Sequence, residues 1–377
     1  MATGDLFRAR DLPPVIAERI KEAREARGFT RELFAERLGI STQAVGQYEV
    51  GQHTPGPEII SRIIQLASLP PSFFSADRAR NRERTSSPNW RSLVRMSRPD
   101  RLRIARRLEW AADVVEYIER FIELPKVNLP TILEPNGTDD FEALEQAAET
   151  VRDAWRLGNS PIRHLAPTLE TNGIVLIRER VNCDDMDAVS QWQGSRPYIL
   201  LADDKNSLPR ENFDLAHELL HLLAHAHVEV TSENLATVER QANYFAGAFL
   251  LPRKSFPQEV LSTSVNYFLE LKERWRVSVQ AMVYRCKDLG LLNKHQVAYL
   301  WRQMSKMRTV EPLDDAFEPE RPAVLSAALS MLIENGVQSR AQIVDALKLN
   351  SADIESLAGT PPGFLDSKVI PLKLKQK

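Results

Sequence analysis

The chain has little cysteine, no long hydrophobic run and almost no net charge. Its two cysteines, Cys183 and Cys286, are far apart and match no metal-binding spacing, so the sequence indicates neither a disulfide framework nor a cysteine-based metal site. Apolar runs nowhere approach the length of about eighteen residues that a transmembrane helix needs, and the first residues have no apolar core of signal-peptide length. These absences predict a soluble protein of the reducing cytoplasm.

The remaining composition is that of an ordinary globular protein. The chain has 377 residues, of which 43% are hydrophobic and 27% charged, and its net charge is -2. That length is sufficient for two or three domains, each of which can bury its own core.

Residues 15–74 read as a series of short helices with clear boundaries. Thr30 is placed to cap a helix that ends at Gly39, where a residue with positive φ is expected. Ser41 is then placed to cap a further helix that ends near Gly51. Two short helices joined by a Gly-containing turn predict a helix-turn-helix, whose second helix can lie in a major groove while the first braces it.

This stretch resembles the DNA-binding domain of phage repressor and Cro proteins, the XRE type. The matching positions are Gly28, Ala35, Leu38, Gly39, Ser41, Val45, Tyr48, Glu49, Gly51 and Pro55. The resemblance implies DNA contacts by Arg31, Ser41, Thr42, Gln43 and Gln47. Glutamine amides can pair with adenine, and Arg31 would meet a phosphate. A protein-interaction module with the same fold is the alternative, because a fold alone does not fix a function.

Charge supports either interpretation. Residues 1–75 carry nine basic and nine acidic side chains, whereas residues 77–107 carry eleven Arg against three acidic residues, a net of +8. Such a basic run can attract phosphates, but it can equally be a solvated linker. After Pro99 the apolar spacing predicts one long amphipathic helix, which would serve as a spacer or a dimerisation surface.

A domain boundary is expected near residues 125–138, where prolines and a glycine interrupt the helical spacing of apolar residues. Two helices follow. A strand is then predicted at 174–181, and a second at 196–202 after the turn-like segment QWQGS. This order predicts an α+β layout with a small sheet beside the next helix.

That next helix covers residues 213–227, FDLAHELLHLLAHAH, which no Gly or Pro interrupts. His217 and His221 are four residues apart, so both imidazoles can converge on one cation. Glu218 can reach a water molecule held by that cation, which is the arrangement of H-E-x-x-H zinc hydrolases. Core histidines or a loose metal-binding tract are the alternatives, because four of the seven His lie between 217 and 227.

A competent zinc site needs a third protein ligand. The candidates downstream are His225, His227, Glu229, Glu233 and Glu239. On an unbroken helix His225 would lie about 12 Å along the axis from His217, too far to share one ion. His227 would need a break in the helix, and no Gly supplies one. Glu239 lies on a further predicted helix, whose small residues Ala242 and Ala246 would allow close packing against the first.

Several segments together resemble the ImmA/IrrE metallopeptidases: FDLAHELLHLLAH and ERQANYFAGAFLLP, preceded by ETNGIVLI and followed by LKERWRVSVQAMVYRCKDLGLL. The resemblance implies a Zn²⁺ ion held by His217, His221 and Glu239, with Glu218 as general base. Asp214 and the pair 219–220 depart from the family pattern, but none of them is an implied ligand.

Supporting roles are less sharply indicated. Asn243 or His225 would orient a ligand. For an oxyanion stabiliser the candidates are Tyr244, His225 and Arg285. Residues 267–305 contain a W-x-V-S element that either forms a helix-turn-helix or, as we favour, packs against the peptidase. An acidic linker, a helical bundle and a frayed tail complete the chain.

The sequence thus predicts a mainly α chain with four consecutive parts. These are an all-α XRE-type helix-turn-helix domain at 11–75, a basic linker and long helix at 76–130, a small α+β zincin-like metallopeptidase domain at 138–262 and a C-terminal helical region at 263–377.

The predicted function is that of a homodimeric transcriptional regulator that binds double-stranded DNA and carries a zinc-dependent endopeptidase. The resemblance to the ImmA/IrrE metallopeptidases implies that the endopeptidase cleaves a regulatory protein, such as a helix-turn-helix repressor, during stress or phage induction. A non-proteolytic transcription factor with a structural or sensory metal site, or a toxin-antitoxin-like component, is the alternative.

Overall fold

A computed structural model describes most of the chain, namely residues 14–75, 96–133, 135, 140–180, 186–203, 207–305 and 311–366. Most of the predicted basic run, Cys183 and the predicted frayed tail at 369–377 lie outside these residues. Within the described residues, 14–75, 98–123 and 325–366 form one compact unit, and 96–97 with 124–324 form a second. The sequence predicted consecutive domains with boundaries at 75, 130 and 262, whereas each compact unit combines segments that are distant in the chain. The predicted domain boundaries stay a prediction.

Among its described residues, the first unit has helices and no strands. They are α1 (Ala17–Ala26), α2 (Arg31–Leu38), α3 (Thr42–Glu49), α4 (Pro57–Ala67), α5 (Pro71–Ser75) and α6 (Arg98–Glu119), and near the end of the chain α15 (Val324–Glu334), α16 (Arg340–Leu347) and α17 (Ser351–Ala358). The first residue of α15, Val324, is assigned to the second unit.

The second unit contains the remaining helices and the strands of the described residues. They are α7 (Phe141–Ala154), α8 (Leu165–Thr171), β1 (Val175–Glu179), β2 (Ala188–Gln193), β3 (Arg196–Ala202), α9 (Leu208–Ala224), α10 (Leu235–Leu250), α11 (Phe256–Glu259), α12 (Val265–Trp275), α13 (Val279–Asp288) and α14 (Lys294–Met304). The predicted fold class, mainly α with a small α+β part, is confirmed.

The predicted caps of the helix-turn-helix form as expected. The Thr30 hydroxyl accepts a hydrogen bond from the Leu33 amide at 3.1 Å, and the Ser41 hydroxyl accepts one from the Ala44 amide at 3.2 Å. Gly39 ends α2 in the left-handed conformation, with φ 66°. These caps fix the short turn between α2 and α3.

The long helix predicted after Pro99 is α6, but its apolar stripe is covered by α1, α16 and α17 of the same chain. Trp110 is fully buried, and its indole nitrogen donates to Glu22 at 2.7 Å. This buried stripe is therefore not the dimerisation surface that the sequence suggested. Two arginines from the end of the basic run, Arg106 and Arg107, pair with Glu25 and Asp353.

The sheet of the second unit has three strands in the order β1-β3-β2, with β1 parallel and β2 antiparallel to β3. The sequence predicted β1 and β3 but took part of β2 for a turn. Ser190, Gln191 and Gln193 dilute the apolar pattern of β2, and the turn at Gly194, with φ 60°, begins only after it. Strand β2 packs against α9.

Helices α9 and α10 pack against each other in the core of this unit. Ala242 and Ala246 of α10 are fully buried, as are Leu219 and Leu220 of α9. Since small side chains allow close approach of two helices, this packing brings the polar faces of α9 and α10 together. Within the described part of the chain, no helix is long and apolar enough to cross a membrane.

Candidate metal centre and nucleic-acid interface

The two histidines of the H-E-x-x-H stretch converge as their spacing predicts. On α9 the Nε2 atoms of His217 and His221 are 3.0 Å apart, and the two rings meet edge to face at 67°. Both side chains are buried, with 8% and 2% of the residue exposed. One turn of a rigid helix thus presents two imidazole nitrogens to one point.

The carboxylate of Glu239 on α10 faces the same point. Its Oε2 lies 3.5 Å from His217 Nε2, and its Oε1 lies 3.7 Å from His221 Nε2. Because zinc bonds to nitrogen and oxygen are about 2.0–2.2 Å long and meet tetrahedrally, ligand atoms around one ion lie about 3.4 Å apart. The three separations fit this value, so two imidazoles and one carboxylate form a donor set suited to a divalent cation.

The outer nitrogens of both imidazoles are hydrogen-bonded, which determines where the lone pairs point. His217 Nδ1 lies 3.1 Å from the side-chain oxygen of Asn243, which accepts its proton. His221 Nδ1 lies 2.9 Å from His225 Nδ1, and His225 Nε2 lies 2.9 Å from the Gln241 side-chain oxygen.

This chain of contacts fixes the tautomers. Since Gln241 offers an oxygen, His225 donates to it from Nε2 and accepts from His221 at Nδ1, so His221 presents a lone pair at Nε2. Two lone pairs 3.0 Å apart repel each other, and a cation between them removes that repulsion. Of the residues in this network, the sequence suggested Asn243 and His225 but missed Gln241.

Glu218 is held by a residue that the sequence also missed. The buried Ser190 hydroxyl, on β2, donates to Glu218 Oε2 at 2.6 Å. Candidate ligand atoms of His217, Glu218 and His221 all lie within 4.8 Å of one another. Ser190 could be found only through the strand that carries it, and that strand was not predicted.

The other candidates lie elsewhere. His227, Glu229 and Glu233 are exposed after the end of α9. Tyr244 donates to Glu145 at 3.0 Å, and burial together with the Glu145 charge raises the pKa of Tyr244 to about 12.

Arg285, also suggested as an oxyanion stabiliser, forms two hydrogen bonds to the same Glu145 carboxylate, at 2.5 and 3.0 Å. Tyr244 and Arg285 therefore both bind the buried Glu145 carboxylate.

The candidate nucleic-acid interface lies on α3 in the first unit. Ser41, Thr42 and Gln43 are exposed at its start, and Gln47 is half-buried one turn later. The Ser41 hydroxyl caps α3, so it is partly engaged already. An amide side chain on the outer face of such a helix can reach base edges.

Arg31 is oriented by Glu49, one of the positions that match the phage repressor type, although the sequence did not predict this contact. Its Nε donates to Glu49 at 2.7 Å, and the Arg31 side chain remains 45% exposed while that of Glu49 is completely buried. Glu49 also binds Arg24. The guanidinium of Arg31 is thus held at the surface beside α3, where a phosphate can reach it.

Comparison with known proteins finds two family models that match separate stretches of the chain. Residues 20–74 match the family model described as helix-turn-helix, and residues 169–287 match the one described as IrrE N-terminal-like domain, a peptidase family. The chain therefore combines a helix-turn-helix domain of the XRE type with a domain of the ImmA/IrrE peptidase family, and the predicted resemblances are confirmed.

Individual proteins are similar to stretches of this chain of different length. The chain is 22% identical over 329 residues to the propionyl-CoA carboxylase regulator of Cereibacter sphaeroides, which covers 78% of this chain and 68% of that protein. It is 27% identical over 60 residues to the prophage-derived HTH-type transcriptional regulator YonR of Bacillus subtilis, covering 16% of this chain and 56% of that one. An uncharacterized protein of Caenorhabditis elegans is 30% identical over 86 residues, which is 22% of this chain and 35% of the length of that protein.

Proposed function

We propose that this chain is a DNA-binding transcriptional regulator that carries a zinc-dependent endopeptidase and cleaves a regulatory protein, such as a helix-turn-helix repressor. The observation that carries the proposal is the convergence of His217, His221 and Glu239 on one point, with Glu218 beside them. A structural histidine pair would need neither the facing carboxylate nor a serine that orients the neighbouring glutamate.

His217, His221 and Glu239 would hold the zinc ion. When bound, that ion supplies Lewis-acid chemistry and makes a water molecule acidic enough to react near neutral pH. Glu218 would accept the proton of the water and deliver it to the amine that leaves the cleaved peptide bond. Ser190 would keep the Glu218 carboxylate in one orientation by donating to Oε2, and Asn243 and His225 would accept from the Nδ1 atoms of the two imidazoles and so direct their Nε2 atoms toward the ion.

The DNA-binding half rests on α3 and its cap. Thr42, Gln43 and Gln47 would read base edges, while Arg31 and the Ser41 end of α3 would meet phosphates. Two of the similar proteins have names that call them regulators, which supports this assignment. A homodimer would match paired half-sites, and the cytoplasmic location stays a prediction from the sequence.

A non-proteolytic transcription factor is the second candidate. The regulator of Cereibacter sphaeroides is similar over most of this chain, and its name states regulation and no hydrolysis. In that case the same three ligands would hold a structural or sensory metal ion. A toxin-antitoxin-like component remains a third possibility that no observation favours.

Replacement of Glu218 separates these candidates. We expect Glu218→Gln to abolish cleavage of candidate repressor proteins and to leave zinc content and DNA binding unchanged, because Glu218 is not in the proposed ligand set. Glu229→Gln is the matched control, since Glu229 is exposed and should have no effect. Zinc is measured by elemental analysis, cleavage by gel electrophoresis with and without chelator, and DNA binding by mobility shift.

Two results would contradict the proposal. Purified protein that contains no divalent metal, and takes up none, would exclude the metal centre. Stoichiometric zinc without cleavage of any repressor by wild-type protein would favour the non-proteolytic regulator.

A further inference from the structure

The C-terminal helices repeat the geometry of the N-terminal helix-turn-helix. Helices α16 and α17 have eight residues each, as do α2 and α3. Ser339 caps α16 and Asn350 caps α17 in the way that Thr30 caps α2 and Ser41 caps α3.

The turn between the helices is also the same. Lys348 ends α16 in the left-handed conformation with φ 53°, where Gly39 ends α2 with φ 66°. Each residue of the second motif follows its equivalent in the first by the same number of positions in the chain. The buried positions are also equivalent: Phe34 and Ile343, Leu38 and Leu347, and Val45 and Ile354. Residues 339–358 therefore form a second helix-turn-helix.

This second copy is not equipped to read DNA. The positions equivalent to Gln43 and Gln47 are Ala352 and Ser356, which have no amide group to offer a base. Residues 325–366 carry two basic and five acidic side chains, which disfavours contact with phosphates.

The residues equivalent to Arg31 and Thr42 form hydrogen bonds to other residues of the same chain. Arg340, equivalent to Arg31, donates to the Phe364 carbonyl at 2.8 Å. Ser351, equivalent to Thr42, donates to Asp366 at 3.2 Å. The end of the described chain thus folds over the start of α17, where a DNA backbone would otherwise lie.

Instead, α17 binds the N-terminal helices through a buried carboxylate. Asp353, at the position equivalent to Ala44, is 7% exposed and accepts two hydrogen bonds from Arg27, at 2.8 and 2.6 Å. Arg107 of α6 donates to the same carboxylate. Arg27 ends α1 and also donates to the Ala67 carbonyl at the end of α4, at 2.6 Å.

We propose that residues 325–366, which contain the second helix-turn-helix, act as a clamp for the DNA-reading one, and that Asp353 is the positioning residue of this clamp. The inference rests on the proposed DNA-binding function. Without the Asp353 charge, two arginine side chains face each other without a carboxylate between them, and their repulsion loosens the ends of α1 and α4. Helices α2 and α3 pack on α1 and α4, so a smaller fraction of molecules presents the DNA-reading surface.

The test compares full-length Asp353→Asn with wild type. The matched control is Asp345→Asn, because Asp345 is an exposed carboxylate of the same second helix-turn-helix. Binding to a fluorescent duplex of mixed sequence, about three helical turns long, is followed by anisotropy over a range of salt concentrations. Amide hydrogen exchange is measured for α1 to α4 in each variant without DNA.

We expect Asp353→Asn to bind the duplex about tenfold more weakly, with an unchanged salt slope because no phosphate contact is lost. Amides of α1 to α4 should exchange faster in Asp353→Asn and at the wild-type rate in Asp345→Asn. Asp353→Glu, which keeps the charge, should recover most of the affinity. If Asp353→Asn is too unstable to study, Asn350→Ser keeps the cap but loses the bond to the Ser68 carbonyl, and should show the same pattern to a smaller extent.

Wild-type affinity and exchange in both Asp353→Asn and Asn350→Ser would overturn the clamp. A reduced salt slope in Asp353→Asn would overturn it too, since the residue would then affect phosphate contacts directly. If wild-type protein binds no duplex, the proposed DNA binding fails, and the exchange of α1 to α4 still decides whether the clamp exists.

Discussion

At the scale of single residues, the candidate metal centre depends on side chains that are not ligands. Gln241 accepts from His225, which accepts from His221, and these two bonds direct the His221 lone pair toward Glu239. Ser190 orients the Glu218 carboxylate in a similar way, by donating a hydrogen bond to it. Both supporting residues are uncharged, so neither changes the net charge of the centre.

Replacing Gln241 by Leu should therefore weaken metal binding. Loss of the acceptor allows His225 to donate toward His221 and disfavours the lone pair at His221 Nε2, and such supporting contacts affect affinity by about 10–100-fold. Zinc affinity is measured by competition with a chromophoric chelator. Gln280→Leu serves as control because Gln280 is exposed on α13, and equal affinities in the two variants would show that the relay is unimportant.

Replacing Ser190 by Ala should lower turnover while leaving zinc content unchanged. The hydroxyl donates to a carboxylate, a bond contributing about 1.5–3 kcal/mol, so a loss of about tenfold or more in kcat is expected. Ser195→Ala, in the exposed turn after β2, is the matched control. An increase in KM alone would indicate that Ser190 contacts substrate and does not position Glu218.

At the scale of elements, the backbone at the entry into β1 is tightly constrained. Gly173 has φ +85°, and a Cβ atom there would lie 2.6 Å from backbone atoms of Lys126 and Val127. This close passage of two backbone segments fixes where β1 begins and hence where β3 and β2 pair beside it.

Gly173→Ala should therefore destabilise the second unit strongly. Left-handed strain costs about 1–2 kcal/mol, and the backbone clash adds a similar amount or more. Gly194→Ala isolates the first contribution, because Gly194 has φ +60° and nothing within 4 Å of the added Cβ. Urea unfolding of both variants measures the difference, and equal losses would show that the segment at 126–127 can move aside.

At the scale of the whole molecule, the first unit is assembled from three segments that are distant in the chain. Asp353 connects them through Arg27 and Arg107. Burial alone would raise the pKa of Asp353, but the hydrogen bonds from Arg27 and the charge of Arg107 outweigh burial and hold the pKa below its ordinary value.

A carboxyl group with a lowered pKa in the folded state stabilises the fold above its unfolded pKa, about 3.9, and this contribution is lost as the pH falls through the folded value. The free energy of unfolding of wild type should thus exceed that of Asp353→Asn at pH 7, and the difference should shrink below about pH 4. Denaturant unfolding at several pH values measures it, with Asp345→Asn as control. A difference that grows on acidification would contradict the assigned pKa direction.

Much of the local structure was accessible from the sequence because local signals are strong there. Thr30, Gly39 and Ser41 mark helix ends through caps that need only neighbouring residues. The four-residue spacing of His217 and His221 places both imidazoles on one helix face whatever surrounds them. Strand β2 escaped prediction because its polar residues acquire a strand conformation only by pairing with β3.

The sequence by itself determined the helical character of the chain, the two motifs and the convergence of His217 and His221, since each follows from spacing within one element. Only the tertiary structure decided that Glu239 faces them, that Ser190 and Gln241 support them, and that α17 binds α1 and α6 through Asp353. The physical reason is separation along the chain. A contact between residues that are tens to hundreds of positions apart depends on how the helices and strands pack, and no local pattern records that packing.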